Sequence, residues 1–292
     1  MTRAVEDPAH RPGDRLAPTL VALRRFVGER FPPWVTVPMA ALLYAAPASL
    51  GRPGRLEAAE GALATFLGLL CLRIADDLED LEADRRVHPR RGLPSGWIDP
   101  ARLREASLAL GAALVVLESS SGWRLAFFLG ACAFYRAWYA VWRGRVHAVA
   151  RPFFSNLVFP GAVLHGAGPV AWRAAVLLAL FAWLAAVAHE FAHNVRSEEE
   201  PSGDPGYARA LGAAGTAVLA VALFAAAALA AVLLWLELGQ PSSLGMALAG
   251  AVGGLAFFLV RLLREPGSQQ SRALYRAGIL FGLAPAVGLL LR

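Results

Sequence analysis

The residues whose types and spacing suit chemistry follow a long apolar run, in the stretch LRIADDLEDLEADR at residues 72–85. At about 100° per helical residue, Asp77, Asp80 and Asp84 fall within roughly 60° of one another, and Asp76 flanks them. Carboxylates this close resist ionising together, and a bound divalent cation resolves that conflict. Oxygen ligands favour a hard ion such as Mg²⁺, which usually completes its shell with substrate phosphates. We therefore predict that these four acids hold Mg²⁺; the alternative is a solvated, charged helix end.

Arginines surround these acids on both sides. Arg85, Arg90 and Arg91 follow the acids and offer forked, permanently charged donors that suit phosphate oxygens. Each of them also fits a simpler role as a basic anchor at the membrane border. Arg73 lies one turn before Asp77 inside the apolar run, where an ionisable side chain is costly, so we expect either a functional partner or a salt bridge to a neighbouring acid.

The elements that position these residues are predicted to be membrane-spanning helices. Hydrophobic residues make up 57% of the 292 residues and the mean hydropathy is +0.49, both too high for an ordinary soluble domain. We predict an all-α polytopic membrane protein, with a flexible tail at 1–16, an amphipathic helix at 17–31 that can lie on the membrane surface, and a single transmembrane domain over 17–292. Nine apolar segments follow, the fifth of which contains Pro160 and is expected to be broken or tilted: 34–50, 57–79, 102–118, 122–142, 153–168, 170–193, 210–237, 243–263 and 273–291.

The distribution of arginine predicts the topology. All 28 basic residues are arginine, and they form no single basic face, which argues against nucleic acid as a partner. With the N-terminus inside, 21 arginines fall in inner segments and 5 in outer ones, so the N-terminus and the loops with the motifs are predicted to be cytoplasmic. Cys71 and Cys132 both lie in predicted spans and are interpreted as small apolar residues rather than as a disulfide.

The acidic stretch resembles the first aspartate-rich motif of the UbiA-type membrane prenyltransferases, written N-D-x-x-D-x-x-x-D-R. Asp76 stands where that motif has Asn, and the downstream loop is similar to the family's R-P-L-x-S-G, with Gly92 in place of Pro. The resemblance implies about nine helices around a central cavity. It also implies Mg²⁺-dependent transfer of a prenyl group from a polyprenyl diphosphate to an aromatic or lipid acceptor. The matching residues are Asp77, Asp80, Asp84 and Arg85 in the motif, and Arg91, Leu93, Ser95 and Gly96 in the loop.

A second polar stretch ends the sixth apolar segment, where the family carries another aspartate motif. The stretch looks like a degenerate variant, because Asn194 and Ser197 stand where Asp is usual. The resemblance implies Glu190 and Glu198 as substitute metal ligands, with Asn194 as a neutral oxygen donor. The same residues also read H-E-x-x-H, from His189 to His193, a zinc-protease signature with Glu190 as base. That alternative needs a third zinc ligand and leaves the aspartate stripe unexplained.

Four further residues are candidates for the substrate pocket: Tyr139, Arg143, Asn156 and Tyr207. Tyr139-x-x-x-Arg143 resembles the family's Tyr-x-x-x-Lys step, in which the basic residue contacts diphosphate, although an interfacial aromatic belt explains the tyrosine equally well. Asn156 is a candidate pocket residue or a local helix cap.

The implied chemistry leaves several functions open. Loss of diphosphate from an allylic substrate creates a carbocation, so Mg²⁺ would stabilise charge on the leaving group and an apolar cavity would exclude water. No residue stands out as the base that takes the acceptor's proton; Asp76 is a candidate. The alternatives are a UbiA-type terpene cyclase, a non-catalytic isoprenoid-binding protein and an intramembrane zinc protease, while prenyl length, acceptor and oligomeric state stay open.

Overall fold

A computed structural model describes residues 12–51, 54–168, 171–195, 206–264 and 268–291, and among these residues it contains helices and no strands. A π-helical turn at Trp138–Trp142 extends α6, and a 3-10 turn at Ala148–Ala150 precedes α7. The helices are α1 Pro12–Arg30, α2 Pro33–Gly51, α3 Arg55–Glu79, α4 Leu81–Val87, α5 Pro100–Glu118, α6 Gly122–Ala137, α7 Arg151–Ser155, α8 Val158–Ala167, α9 Trp172–His193, α10 Gly206–Glu237, α11 Ser242–Arg264 and α12 Ser268–Leu290.

The apolar composition of these helices suits a membrane. Within the described ranges, six helices are long and apolar enough to cross a bilayer, and Arg276–Leu290 is a shorter apolar helix. The predicted all-α membrane fold is confirmed. Helices coincide with all nine predicted segments, but the number of spans and the side on which the N-terminus lies stay predictions. The six are Pro33–Gly51, Arg55–Glu79, Gly122–Trp142, Trp172–His193, Arg209–Glu237 and Ser242–Arg264.

Two breaks distinguish the helices from the predicted segments. The fifth segment divides into α7 and α8, as its short length and Pro160 predicted, and Asn156 lies between the two helices. Helix α10 is interrupted at Gly212, whose φ of 67° lies in the left-handed region that a side chain disfavours. Glycine at this position therefore allows one apolar run to bend.

Helix α1 begins earlier than predicted, and part of its apolar face packs against protein. It begins at Pro12, before the predicted start at Ala17, while the rest of the predicted tail, residues 1–11, lies outside the described residues. Its apolar side chains divide: Ala22 and Phe26 are buried against protein, while Leu20 and Val21 are exposed, so the membrane-surface location stays a prediction. Phe26 is fully buried, so α1 is part of a core.

The chain divides into two compact units, and α2, α3 and α5 contribute residues to both. The first unit comprises the described residues up to Pro38 together with Phe66–Val116, and Ile74 and Leu103 lie at the centre of its core. In the second unit, which comprises Met39–Thr65 and the described residues from Leu117 onward, α9 packs against α8, α10 and α12. The predicted single domain over 17–292 and its central cavity stay predictions.

Candidate functional site

The aspartate stripe lies where α3 passes into α4, within the first unit. Helix α3 ends at Glu79 and α4 begins at Leu81, with Asp80 at its N-cap position, so the stripe is not one uninterrupted helix. The backbone still follows a helical path, because the amide of Asp80 donates to the carbonyl of Asp76 (2.9 Å) and that of Asp84 to the carbonyl of Asp80 (2.8 Å). The acids therefore remain on successive turns, as their spacing predicted.

Asp77 is the most enclosed acid of the stripe, and arginines bind both of its carboxylate oxygens. The Nε of Arg30 donates to Oδ2 (2.8 Å) and the Nη2 of Arg30 to Oδ1 (3.0 Å), which is a two-bond pairing of guanidinium and carboxylate. The Nη2 of Arg73 lies 2.8 Å from the same Oδ1. The Asp77 side chain is only 7% exposed, so its charge is balanced by protein cations rather than by water.

Arg30 ends α1, outside the spans, and its pairing with Asp77 has an electrostatic consequence. The hydrogen bonds to Asp77 raise the pKa of Arg30, and this effect outweighs the opposing effect of burial. The partner of Asp77 is therefore a permanent cation. Arg73 also lies 3.3 Å from Asp76, so the structure places this intramembrane arginine in salt bridges with both neighbouring acids.

Asp84 pairs with the loop that follows α4. The Nη1 of Arg91 donates to Oδ2 of Asp84 at 2.8 Å, and both side chains are partly exposed. Loop residues Leu93 and Ile98 are buried in the core of the first unit, which anchors the loop beside the stripe. The amide of Gly92 donates to the carboxylate of Glu29 on α1.

The other two predicted arginines lie at the surface of this unit. Arg85 forms an ion pair with Glu82 on α4, and Arg90 is exposed in the loop. An arginine at either position is compatible with contact to a soluble anion and also with a role as a topological anchor. The role of Arg85 and Arg90 as diphosphate ligands therefore stays a prediction.

The second motif lies at the end of α9, in the second unit. The Nδ2 of Asn194 donates to the backbone carbonyl of Glu190 (2.9 Å) and to its Oε1 (3.2 Å), so this amide caps α9 and contacts the predicted metal ligand. The predicted ligand Glu198 lies outside the described residues. Metal binding by Glu190 and Asn194 stays a prediction.

The zinc-protease alternative gains no support from the described residues. These residues contain no group of three or more His, Cys, Asp or Glu side chains placed to hold a metal ion, either at the end of α9 or along the aspartate stripe. His189 packs beside Gly278 of α12, where a Cβ would meet its Nδ1 at 2.8 Å. The nearby acids that could supply a third zinc ligand, Glu198–Glu200 and Asp204, lie outside the described ranges.

The remaining pocket candidates lie in the second unit. The guanidinium of Arg143 stands over the ring of Tyr139 at 5.5 Å, so the two residues of the Tyr-x-x-x-Arg step contact each other. Tyr139 lies in the π-helical turn, a distortion frequent at functional sites. Asn156 donates from Nδ2 to the carbonyl of Pro152 (2.8 Å) and caps α7, which is the alternative that the sequence left open.

The donor chemistry of the first unit fits magnesium, with one qualification. Mg²⁺ usually binds one or two carboxylates and takes its other ligands from water and phosphate, and Asp80 and Asp84 lie one turn apart on a polar, partly exposed surface. Asp77 carries two guanidinium partners in this structure. Asp77 therefore serves as a metal ligand only by exchanging one of them.

Sequence reasoning missed two residues at this site, Glu29 and Arg30. Both lie in the last turn of α1, and they contact loop and stripe residues 63 and 47 positions away. The only sequence signal for these two residues was an acid followed directly by a base at the end of an amphipathic helix, just before the first apolar segment. That signal gave no indication of their partners.

Comparison with known proteins identifies relatives of the chain. A sequence model of the UbiA prenyltransferase family matches residues 35–283. A solved structure of a digeranylgeranylglyceryl phosphate synthase is similar with a TM-score of 0.70, over 96% of this chain and 100% of its own, at 18% identity. That likeness shows a shared fold. No curated protein sequence matches the chain.

Proposed function

The chain belongs to the UbiA prenyltransferase family, and from this premise we propose that it transfers a prenyl group from a polyprenyl diphosphate to an aromatic or lipid acceptor, with Mg²⁺ as cofactor. The observation that carries the proposal is the alternation of acids and arginines in the first unit. Asp77 and Asp84 each pair with an arginine, and Arg73 bridges two acids. Such a surface offers carboxylates to a hard cation and guanidinium groups to a diphosphate.

The proposed reaction is an ionisation followed by capture. The bond between the allylic carbon and the diphosphate oxygen breaks, and its electron pair leaves with the oxygen. Magnesium, when bound, acts as a Lewis acid that stabilises the charge on this leaving group. The acceptor then donates an electron pair to the allylic carbon and loses a proton, for which Asp76, with its side chain 38% exposed, remains the candidate base.

The proposed roles of the side chains are metal binding and substrate binding. Asp80 and Asp84 hold the metal, and Asp77 becomes a further ligand when one of its two arginine partners is displaced. Arg91 is the first candidate for a diphosphate contact, because it stands at the stripe and offers a forked donor. The remaining proposed substrate or metal contacts are Arg73, Arg85 and Arg90 in the first unit, Tyr139, Arg143, Asn156, Glu190 and Asn194 in the second, and Glu198.

Product analysis tests the proposed function. The purified protein in lipid nanodiscs is incubated with Mg²⁺ and allylic diphosphates from geranyl to longer chains, with and without acceptor. The name of the structural relative gives a glyceryl phosphate lipid as product, so a glyceryl phosphate lipid is the first acceptor and a phenolic compound the second. Released diphosphate is quantified and the lipid extract is analysed by mass spectrometry.

The expected result is acceptor-dependent release of diphosphate and a product whose mass equals acceptor plus prenyl group less one proton. Release without acceptor, together with a cyclic hydrocarbon or alcohol, would instead identify a terpene cyclase. No release with any chain length would contradict catalysis and indicate an isoprenoid-binding protein.

A further inference from the structure

A carboxylate from α1 lies against the main chain of the loop after α4, at Gly92. The amide of Gly92 donates to both oxygens of Glu29, at 2.9 Å to Oε1 and 3.0 Å to Oε2. A proline at this position would carry no amide hydrogen and could not make this contact. The contact therefore requires a residue with an amide hydrogen at position 92.

The contact with Glu29 also depends on the absence of a side chain at Gly92. A Cβ at this position would meet the Oε2 of Glu29, and it would also lie 2.9 Å from Cδ1 of Ile98 and 2.9 Å from Cε3 of Trp97. Gly92 itself is buried. The carboxylate of Glu29 occupies space that only glycine leaves open.

Glu29 is carried by an element that is itself fixed. Phe26 of α1 is fully buried in the core of the first unit. The Oγ1 of Thr19 donates to Glu105 on α5 (2.9 Å), and Arg25 donates to the carbonyl of Trp97 (2.8 Å). Arg30, the residue next to Glu29, holds Asp77. The last turn of α1 thus contacts both the stripe and the loop.

The contact fixes the main chain of Arg91. The amide nitrogen of Gly92 and the carbonyl of Arg91 belong to one planar peptide group. Glu29 binds the N–H side of that group, and the amide of Ser95 donates to the carbonyl side at 2.9 Å. Because the peptide group is held on both sides, the main chain of Arg91 is fixed. Its guanidinium contacts Asp84 from that fixed position.

We propose that Glu29 is a positioning residue that holds the Arg91–Gly92 peptide and thereby presents Arg91 to the diphosphate. This role rests on the proposed function, since it assigns Glu29 to the same site. A side chain held by a supporting hydrogen bond loses less freedom when the substrate binds, so the contact improves substrate binding without touching the substrate.

Amide exchange tests the contact independently of any activity. Hydrogen–deuterium exchange is followed by mass spectrometry in peptides that cover residues 92–97, for the wild type and for Glu29→Ala, Glu29→Gln and Glu105→Ala. We expect exchange at Gly92 to rise about tenfold in Glu29→Ala and less in Glu29→Gln, which keeps an acceptor oxygen. Glu105→Ala is the matched control: it removes the exposed hydrogen bond from Thr19, ten residues before Glu29, and leaves Phe26 buried, so exchange should match that of the wild type.

Steady-state kinetics on the same variants test the positioning role. We expect the KM for the allylic diphosphate to rise about three- to tenfold in Glu29→Ala, with kcat within about twofold of the wild type and partial rescue in Glu29→Gln. Unchanged exchange in Glu29→Ala would overturn the contact, and faster exchange with an unchanged KM would overturn the positioning role. Absence of diphosphate release by the wild type would overturn the proposed function itself, so the two failures are distinguishable.

Discussion

Asp77 is a buried carboxylate with arginines on both oxygens, and this arrangement gives it two roles. Arg30 reaches it from α1 and Arg73 from one turn earlier on α3. The salt bridges join α1 to α3, so Asp77 supports the fold of the first unit as well as the proposed metal site. Asp80 lies in the helix junction and is less enclosed.

Substitution of Asp77 should therefore lower stability as well as activity. Asp77→Asn removes the charge that balances two partly buried guanidinium groups, and we expect the free energy of unfolding to fall by about 1–3 kcal/mol. The matched variant Asp80→Asn should lose less than about 1 kcal/mol. Unfolding in mixed detergent micelles measures both, and equal losses in the two variants would contradict the structural role of Asp77.

Residue types and spacing indicated the cluster of acids and arginines at this candidate site but not its contacts with α1. The stripe from Asp76 to Asp84 and its basic loop were recognisable because neighbours in sequence are neighbours on a helix. Glu29 and Arg30 were not, because their partners lie 63 and 47 residues away and are determined by how α1 packs. Local periodicity contains no information about such contacts.

At the scale of elements, hydropathy predicted where helices lie better than where they begin and what they cover. Apolar runs located α2, α3 and α9 because the run itself is what a membrane helix needs. Helix α1 was predicted as an amphipathic helix that can lie on the membrane surface; Phe26 of its apolar face packs in a protein core, while Leu20 and Val21 are exposed. An amphipathic pattern fixes which face is apolar and not whether lipid or protein covers that face.

A buried charge cluster joins helices of the second unit, and sequence reasoning missed it. Glu118 ends α5 at 1% exposure, and its Oε2 lies 3.3 Å from Nε of Arg124 on α6 and 2.9 Å from Nε2 of His165 on α8. Glu60 of α3 lies 3.7 Å from Arg124 on its other side. Four helices therefore meet at one set of ionisable groups.

Removal of one member of this cluster should destabilise the second unit strongly. Glu118→Ala removes the nearest carboxylate from the buried Arg124 and leaves it only the more distant Glu60, so we expect the free energy of unfolding to fall by about 3 kcal/mol. The double variant Glu118→Leu with Arg124→Met removes both charges and should lose less than Glu118→Leu alone. Thermal unfolding in detergent compares them, and a Glu118→Ala protein as stable as the wild type would show that the cluster contributes little.

At the scale of the whole molecule, the sequence predicted the fold class and the family. The family model over residues 35–283 and the similar solved structure agree with the resemblance drawn from the stripe and its loop. Prenyl length and acceptor could not be predicted, because side chains that line a substrate pocket between helices are distant in sequence and carry no local signature. The side of the membrane that the stripe faces rests on the arginine distribution alone.

Magnesium-dependent release of diphosphate by aspartate variants tests the central claim most directly. Release from an allylic diphosphate is measured against Mg²⁺ concentration for the wild type, Asp80→Asn, Asp84→Asn and the control Asp99→Asn, whose side chain accepts from the amide of Ala101 near the start of α5. We predict that release requires Mg²⁺, falls at least a hundredfold in Asp80→Asn and Asp84→Asn, and stays within about twofold of the wild type in Asp99→Asn. Undiminished release in Asp80→Asn and Asp84→Asn, or release in the presence of a chelator, would contradict the account.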